Sequence, residues 1–297
     1  MGRLIVLVVV AGLVALLLRP LSGAFGPGWP VRIPVLLERR GTATLLVLGL
    51  DRRGAEVARS DTILLIRVGP VGGGTTLLSI PRDLWVSIPQ RGEDRINAAY
   101  AWGDLTNGDG ASLARRTVEQ SFGLPVDRVA VVDFACFQQA VDAAGGVTVD
   151  VPARLVDERY PADDGTTTVV VFEPGRQTLS GSRALQYARI RSPDSDFGRI
   201  RRQHQVAAAL AARLHDPIVS LRVAQSFLRS CPDSGTDLSP LDLAMLGVIA
   251  ATDSDPRVRL VDESMVSPTT LPSGAQVLLP RWERIRPVVA ELFGRTE

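Results

Sequence analysis

Three short apolar runs, each ended by a charged or glycine-rich turn, limit the fold more than any other feature of this 297-residue chain. They are Thr44–Leu50 (TLLVLGL), Thr62–Val68 (TILLIRV) and Thr76–Ile80 (TLLSI). Runs this brief and this continuously apolar read as strands buried on both faces. Asp51-Arg52-Arg53-Gly54 ends the first, Arg59-Ser60-Asp61 leads into the second, and Pro81-Arg82-Asp83 leaves the third. Leu84–Ile88 continues the third after a bend, and Gln90–Arg95 reads as a polar loop.

Beyond them the pattern alternates. Helices are expected over Ile96–Trp102, Ala111–Phe122 and Phe134–Ala144, and strands over Arg128–Val132 and Val147–Val151. Arg154–Gly165 reads as polar and irregular, and Ser180–Gln186 as a short helix. A long helix runs from Gly198 to Leu214 on an apolar stripe of Ile200, Ala207, Leu210, Ala211 and Leu214. Helices at Ile218–Leu228, Leu241–Ala251 and Trp282–Phe293 and strands at Arg257–Val261 and Ala275–Leu279 complete the chain. Strands alternating with helices predict a three-layer α/β/α sandwich with a central mixed β-sheet, plus C-terminal helices. The expected divisions are an N-terminal segment at 1–20, a linker at 21–42 rich in Gly, Pro and Arg, a catalytic domain at 43–215 and an extension at 216–297 packing on it.

The N-terminus carries an address. Leu4–Leu18 is uncharged and lies between Arg3 and Arg19. At fifteen residues it is shorter than the roughly 20 that span a bilayer, and it fits a signal-peptide core or a short signal anchor. Ser22-Gly23-Ala24 is a poor cleavage site, so the reading favours an uncleaved single-pass anchor in the cell membrane with the body outside the cytoplasm; cleavage would make the protein secreted. In an exported chain Cys136 and Cys231 either form one disulfide or stay two buried thiols. His204 and His215 are the only histidines, which argues against a His-based triad or a His-ligated zinc site.

Charge is informative only where it clusters. The net charge is +1, and all 33 basic residues are arginine. Gly181–Gln205 holds six of them: Arg183, Arg189, Arg191, Arg199, Arg201 and Arg202. Guanidinium is a planar, permanently charged fork suited to phosphate oxygens. Arg189 and Arg191 share one side of an extended chain. Arg199, Arg202 and Gln203 share a helix face near a helix N-terminus, with Asp196 as its cap. Asp51 and Asp61 end one strand and begin the next. If those strands are antiparallel neighbours, both carboxylates meet at one edge, a setting for a hard divalent cation, most simply Mg2+ held together with substrate phosphates. The basic stretch lacks interleaved aromatics, and with so small a net charge it gives no support for nucleic-acid binding.

Taken in order, the blocks are GLDRR (Gly49–Arg53), RSDT (Arg59–Thr62), SIPRD (Ser79–Asp83), RINAAYAWG (Arg95–Gly103), VDFACFQQAVDAAGGVTVDVP (Val132–Pro152), LSGSRALQYARIR (Leu179–Arg191) and DFGRIRRQ (Asp196–Gln203). From Thr44 to Leu214 this series resembles the LytR-CpsA-Psr family, also called the cell envelope-related transcriptional attenuator domain. The resemblance implies a membrane-anchored phosphotransferase acting outside the cytoplasm. Such an enzyme moves a phospho-glycan from a polyprenyl-pyrophosphate carrier to a peptidoglycan hydroxyl. It implies Asp51, Asp61 and Arg82 as catalytic, with Mg2+ on Asp51 and Asp61. It implies Arg59, Arg189, Arg191, Arg199, Arg202 and Gln203 as the pyrophosphate grip. Arg95 stands where lysine is frequent in that family, the loop from Ser192 to Ser195 is this chain's own, and Arg201 stands where an acidic residue is common.

Overall fold

The structure, a computed structural model, describes residues 42–51, 58–69, 74–161, 166–190, 196–231, 236–239 and 256–294, with isolated positions 242, 243, 245, 246, 249 and 253. The expected N-terminal segment at 1–20, all but the end of the linker, and most of the expected helix at Leu241–Ala251 lie outside the described residues.

The apolar runs form the middle of a five-stranded sheet. β1 (Ala43–Asp51), β2 (Arg59–Val68) and β3 (Thr75–Ile80) are an antiparallel meander. Two later strands join its edges in parallel: β6 (Arg128–Asp133) beside β1, and β11 (Arg257–Leu260) beside β3. The order β11-β3-β2-β1-β6 makes the sheet mixed, as expected, and brings the chain beyond 216 back into the central layer.

Alternation along each strand divides the two faces. Leu46, Leu48, Leu50, Ile63 and Leu65, all 2% exposed or less, pack with α1 (Ala98–Asn107), α2 (Gly110–Phe122) and α7 (Trp282–Phe293). Each such side chain contributes roughly 1.5–3 kcal/mol when fully buried. The opposite face, carrying Val47, Gly49 and Leu64, looks into a cavity. Beyond that cavity lie α3 (Phe134–Ala143), α4 (Gly181–Arg189), α5 (Asp196–Arg213) and α6 (Pro217–Ser230). A second core joins Val141, Tyr187 and Val206 of these helices to a small all-β region.

That region departs from the sequence expectation. The stretch expected to be irregular contains β8 (Leu155–Pro161), paired antiparallel with β9 (Thr167–Phe172). Leu155, Tyr160, Val170 and Phe172 turn inward while the charged residues of β8 stay at the surface, so mean polarity hides the strand. Two more strands pair with known partners, β10 (Gly175–Leu179) with β7 (Val147–Val151) and β12 (Val266–Thr270) with β13 (Gln276–Pro280). The expected polar loop contains β5 (Gly92–Arg95), which pairs with β4 (Trp85–Ile88). Helix α4 runs three residues further than expected and ends at Arg189, which therefore sits on a helix rather than in extended chain.

Close approach requires glycine at two positions near the cavity. A Cβ on Gly181 would lie 2.1 Å from the Gln138 carbonyl oxygen, so only glycine lets α4 start against α3. There the Gly181 N–H donates to the Asp142 carboxylate at 2.7 Å. A Cβ on Gly49 would lie 2.8 Å from Thr62 Cβ, beside the site described next.

Candidate active site

A bulge sets the two aspartates. In the β1–β2 ladder Gly49 faces Thr62 and Leu50 faces Ser60, so Asp61 is the extra residue. Asp51 closes the same ladder opposite Arg59. The bulge turns Asp61 to the cavity side, and both Asp51 and Asp61 line the cavity, as the antiparallel pairing anticipated.

Among the described residues each aspartate faces an arginine. Arg82, in the turn after β3, donates from Nη1 to Asp61 Oδ2 at 2.8 Å. Its Nε lies 3.4 Å from Asp83, which also faces Arg95 Nε at 3.3 Å. Arg82 thus reaches the cavity through Asp61 rather than lining it. Arg189, at the C-terminus of α4, approaches Asp51 Oδ2 at 3.6 Å. All four side chains are half-buried, where charges are screened less than at the surface.

Helix α5 supplies the facing wall. Arg199, Gln203, Val206, Ala207 and Leu210 line the cavity and recur along one helix stripe, which spans about 16 Å. Its first members are polar and its last apolar, so one helix carries the cavity from a charged mouth to a greasy interior. Arg199 is 3% exposed. Gln203 donates to the Ala188 carbonyl at 3.5 Å.

Other residues singled out from the sequence fall elsewhere. Arg202 is buried, but it donates to the Ile190 carbonyl and does not line the cavity. Arg59 pairs with Asp51 at the site end of the ladder, but it is exposed and stays off the lining. Arg191 lies outside the described residues. Arg183, in the arginine cluster but outside the implied grip, is half-buried over the Phe172 ring at 4.0 Å and donates to the Val171 carbonyl at 2.7 Å. Conversely, Arg154, Arg159 and Tyr160 line the mouth from β8 or just before it. The signal for Tyr160 was an aromatic residue amid charges, opposite the β-branched and aromatic Thr167–Phe172 run (TTVVVF).

The interior is apolar, and the cavity as a whole is large, at about 1360 Å³. That exceeds the roughly 300–1,000 Å³ of ordinary small-molecule pockets. Phe134, Phe137 and Ala140 of α3 and Val223 and Phe227 of α6 face it. A disulfide between Cys136 and Cys231 clips the start of α3 to the residue after α6, with Cα atoms 5.7 Å apart. The two sulfurs are therefore bonded, which decides between the two arrangements the sequence left open.

The donor set suits a cation only in part by itself. No group of three or more His, Cys, Asp or Glu side chains converges among the described residues. Two carboxylates at one rim fit a hard ion that takes its remaining oxygens from water and a phosphorylated substrate. They do not make an all-protein cage.

The model of the LytR_cpsA_psr family matches residues 30–261. The chain belongs to the LytR-CpsA-Psr family. It is 38% identical over 192 residues to the polyisoprenyl-teichoic acid–peptidoglycan teichoic acid transferase TagU of Oceanobacillus iheyensis, covering 64% of this chain and 57% of that one. The chain thus spans little more than half the length of that curated relative. Among solved structures, TagV of Bacillus subtilis superposes with a TM-score of 0.69 at 26% identity, covering 86% of this chain and 99% of the other. The Bacillus subtilis family protein YwtF (TagT) with bound octaprenyl pyrophosphate lipid superposes with a TM-score of 0.64 at 25% identity, covering 86% and 92%. The α/β architecture with its central mixed sheet is that of these family structures.

Proposed function

We propose that this protein is an extracytoplasmic phosphotransferase that moves a phospho-glycan from a polyprenyl-pyrophosphate carrier to a hydroxyl of peptidoglycan. The observation that carries this reading is one cavity with two chemistries. The whole cavity holds about 1360 Å³, its mouth lined by Asp51, Asp61, Arg189, Arg199 and Gln203 and its interior by apolar side chains. A pyrophosphate on a long isoprenoid tail has that same division. TagU's name describes such a transfer, and the TagT structure holds such a lipid.

The acceptor oxygen attacks the glycan-side phosphorus, and a new P–O bond forms. The bond from that phosphorus to the bridging oxygen breaks, and polyprenyl phosphate leaves with the electron pair. The acceptor's proton departs toward the Asp51–Asp61 carboxylates. Arg189 and Arg199 are placed to offset the charge that gathers on the pyrophosphate oxygens, the dominant demand in phosphoryl transfer. Arg82, bonded to Asp61, fixes that carboxylate's direction. Asp51 and Asp61 would hold Mg2+, which would supply charge neutralisation of the phosphates when bound.

The N-terminal apolar segment is read as the anchor in the cell membrane. The Cys136–Cys231 disulfide supports a domain outside the cytoplasm, since such bonds persist in oxidising compartments. Among the described residues no helix is long and apolar enough to cross a membrane.

Arg82→Ala tests the catalytic reading against simple lipid binding. Transfer is expected to fall by about 100-fold or more, since a half-buried charge-assisted bond that directs Asp61 is lost, while affinity for a polyprenyl pyrophosphate stays within about threefold. Equal transfer by the variant and the parent would remove Arg82 from the mechanism.

A further inference from the structure

Arg189 is held by two side chains that carry no charge. Its guanidinium carbon lies 4.3 Å from the centroid of the Phe134 ring and 5.3 Å from that of Tyr160. Its Nη1 donates to the Tyr160 hydroxyl at 3.1 Å, while its Nη2 faces Asp51 at 3.6 Å. Both rings line the cavity, and Tyr160 is 5% exposed. Neither ring is free to drift. Phe134 opens α3, whose first turn is pinned by Asp133 accepting from the Cys136 N–H at 2.8 Å, and Tyr160 is seated in the second core.

An arginine side chain carries about 2 kcal/mol of rotamer entropy, part of which is lost each time it must grip a substrate. Arg82 is ordered by carboxylates, Asp61 and Asp83, which also offset its charge. Aromatic faces order a guanidinium differently, because they fix its plane without neutralising it. Asp51, at 3.6 Å from Arg189, offsets its charge only across a longer gap than the 2.8 Å between Arg82 and Asp61. Burial among the rings also lowers the local dielectric and strengthens its pull on an anion.

We propose that Tyr160 and Phe134 are positioning residues for Arg189. They hold its guanidinium at the Asp51 end of the cavity, so that it meets the pyrophosphate already oriented rather than being ordered by it. This rests on the transferase reading above. Preorganisation of that kind acts most when charge develops in the transition state, so it shows in kcat more than in KM.

The test compares full-length protein with Tyr160→Phe, Tyr160→Leu and Phe134→Leu, each made alone and with Arg189→Lys. Thermal melting, kcat and KM for a polyprenyl-pyrophosphoryl glycan, and affinity for a polyprenyl pyrophosphate are measured on every variant. Tyr160→Leu and Phe134→Leu are each expected to lower kcat by about tenfold to 100-fold with KM within about threefold, and Tyr160→Phe, which keeps the ring, to recover about half of that loss on a logarithmic scale. In the Arg189→Lys background the same changes are expected to cost no more than about twofold, because the group they act through is gone. The same fold loss in both backgrounds would overturn the proposal, since independent structural damage is additive. Should the parent protein release no polyprenyl phosphate, the transferase reading falls by itself. The comparison then moves to affinity for the polyprenyl pyrophosphate, where coupling to Arg189 upholds the positioning role and additivity overturns it.

Discussion

Breaking the Cys136–Cys231 bond is expected to loosen the cavity and the fold together. The bond closes a loop across a sequence separation of 95 residues. Loop-closure entropy for that span is worth about 4–5 kcal/mol at 25 °C, and native strain or residual structure in the reduced chain lowers the figure. For a protein near this size, that corresponds to a fall in Tm on the order of 10 °C. Both cysteines are buried, at 1% and 4% exposure, and the bond cross-links two helices that pack on each other. The assay is differential scanning calorimetry of three samples: the oxidised protein, the protein reduced by a phosphine with both thiols then titrated, and the Cys136→Ala/Cys231→Ala variant. Phe134 and Phe137 of α3 and Phe227 of α6 face the cavity, so affinity for a polyprenyl pyrophosphate should weaken in the reduced sample below its melting transition. A reduced protein with two free thiols that melts within about 2 °C of the oxidised form would refute the loop-closure reasoning.

Two other outcomes follow from single side chains. Ala207→Trp places an indole in the apolar part of the cavity, where Ala207 lines the wall. It should weaken binding of a long-tailed pyrophosphate by about tenfold or more, and affect a short-tailed analogue or inorganic pyrophosphate by less than about threefold. Equal weakening of both would separate the chamber from the tail. His204 is pushed below its ordinary value of 6.5 by burial, so the folded protein favours the neutral ring. Its stabilising contribution is present above about pH 6.5 and is lost as pH falls through the lowered folded value. His215 is pushed up by its bonds to the Asp253 and Ala212 carbonyls, so its contribution is present below 6.5 and fades as pH rises. His204→Gln should therefore flatten the loss of stability on acidification, read by urea unfolding from about pH 8 to about pH 5. An unchanged slope would contradict the assignment.

The central sheet was legible because its strands are apolar on both faces, one packed on helices and the other turned to the cavity. TLLVLGL and TILLIRV leave no room for a helix-period pattern, and the aspartates at their ends mark the rim. The position of Asp61 was only half legible. Its place after Ser60 was plain, but the bulge that turns it toward the cavity depends on Gly49 meeting Thr62 across the ladder. The β8–β9 hairpin was missed because each of its strands buries few residues, and a polar average over Arg154–Gly165 conceals Leu155 and Tyr160. With the hairpin unread, Tyr160 was unread too. Arg189 was found by charge, yet its setting was misjudged, because α4 continues past Gln186 and delivers it from a helix end. Arg202 shows the limit of charge clustering: it is spaced with Arg199 on one helix, but a turn's difference sends it to the Ile190 carbonyl rather than the cavity.

The most direct measurement of the proposed activity is mass spectrometry of the products formed by the full-length protein. It would be supplied with a synthetic polyprenyl-pyrophosphoryl glycan, a peptidoglycan acceptor and Mg2+. The expected result is an acceptor heavier by the phospho-glycan, formed in step with one equivalent of polyprenyl phosphate. Both should be abolished in an Asp51→Ala variant that still melts as a folded protein. Across several donors, intact carrier lipid and unmodified acceptor would contradict the transferase reading, and phospho-glycan released to water instead of the acceptor would mark a hydrolase.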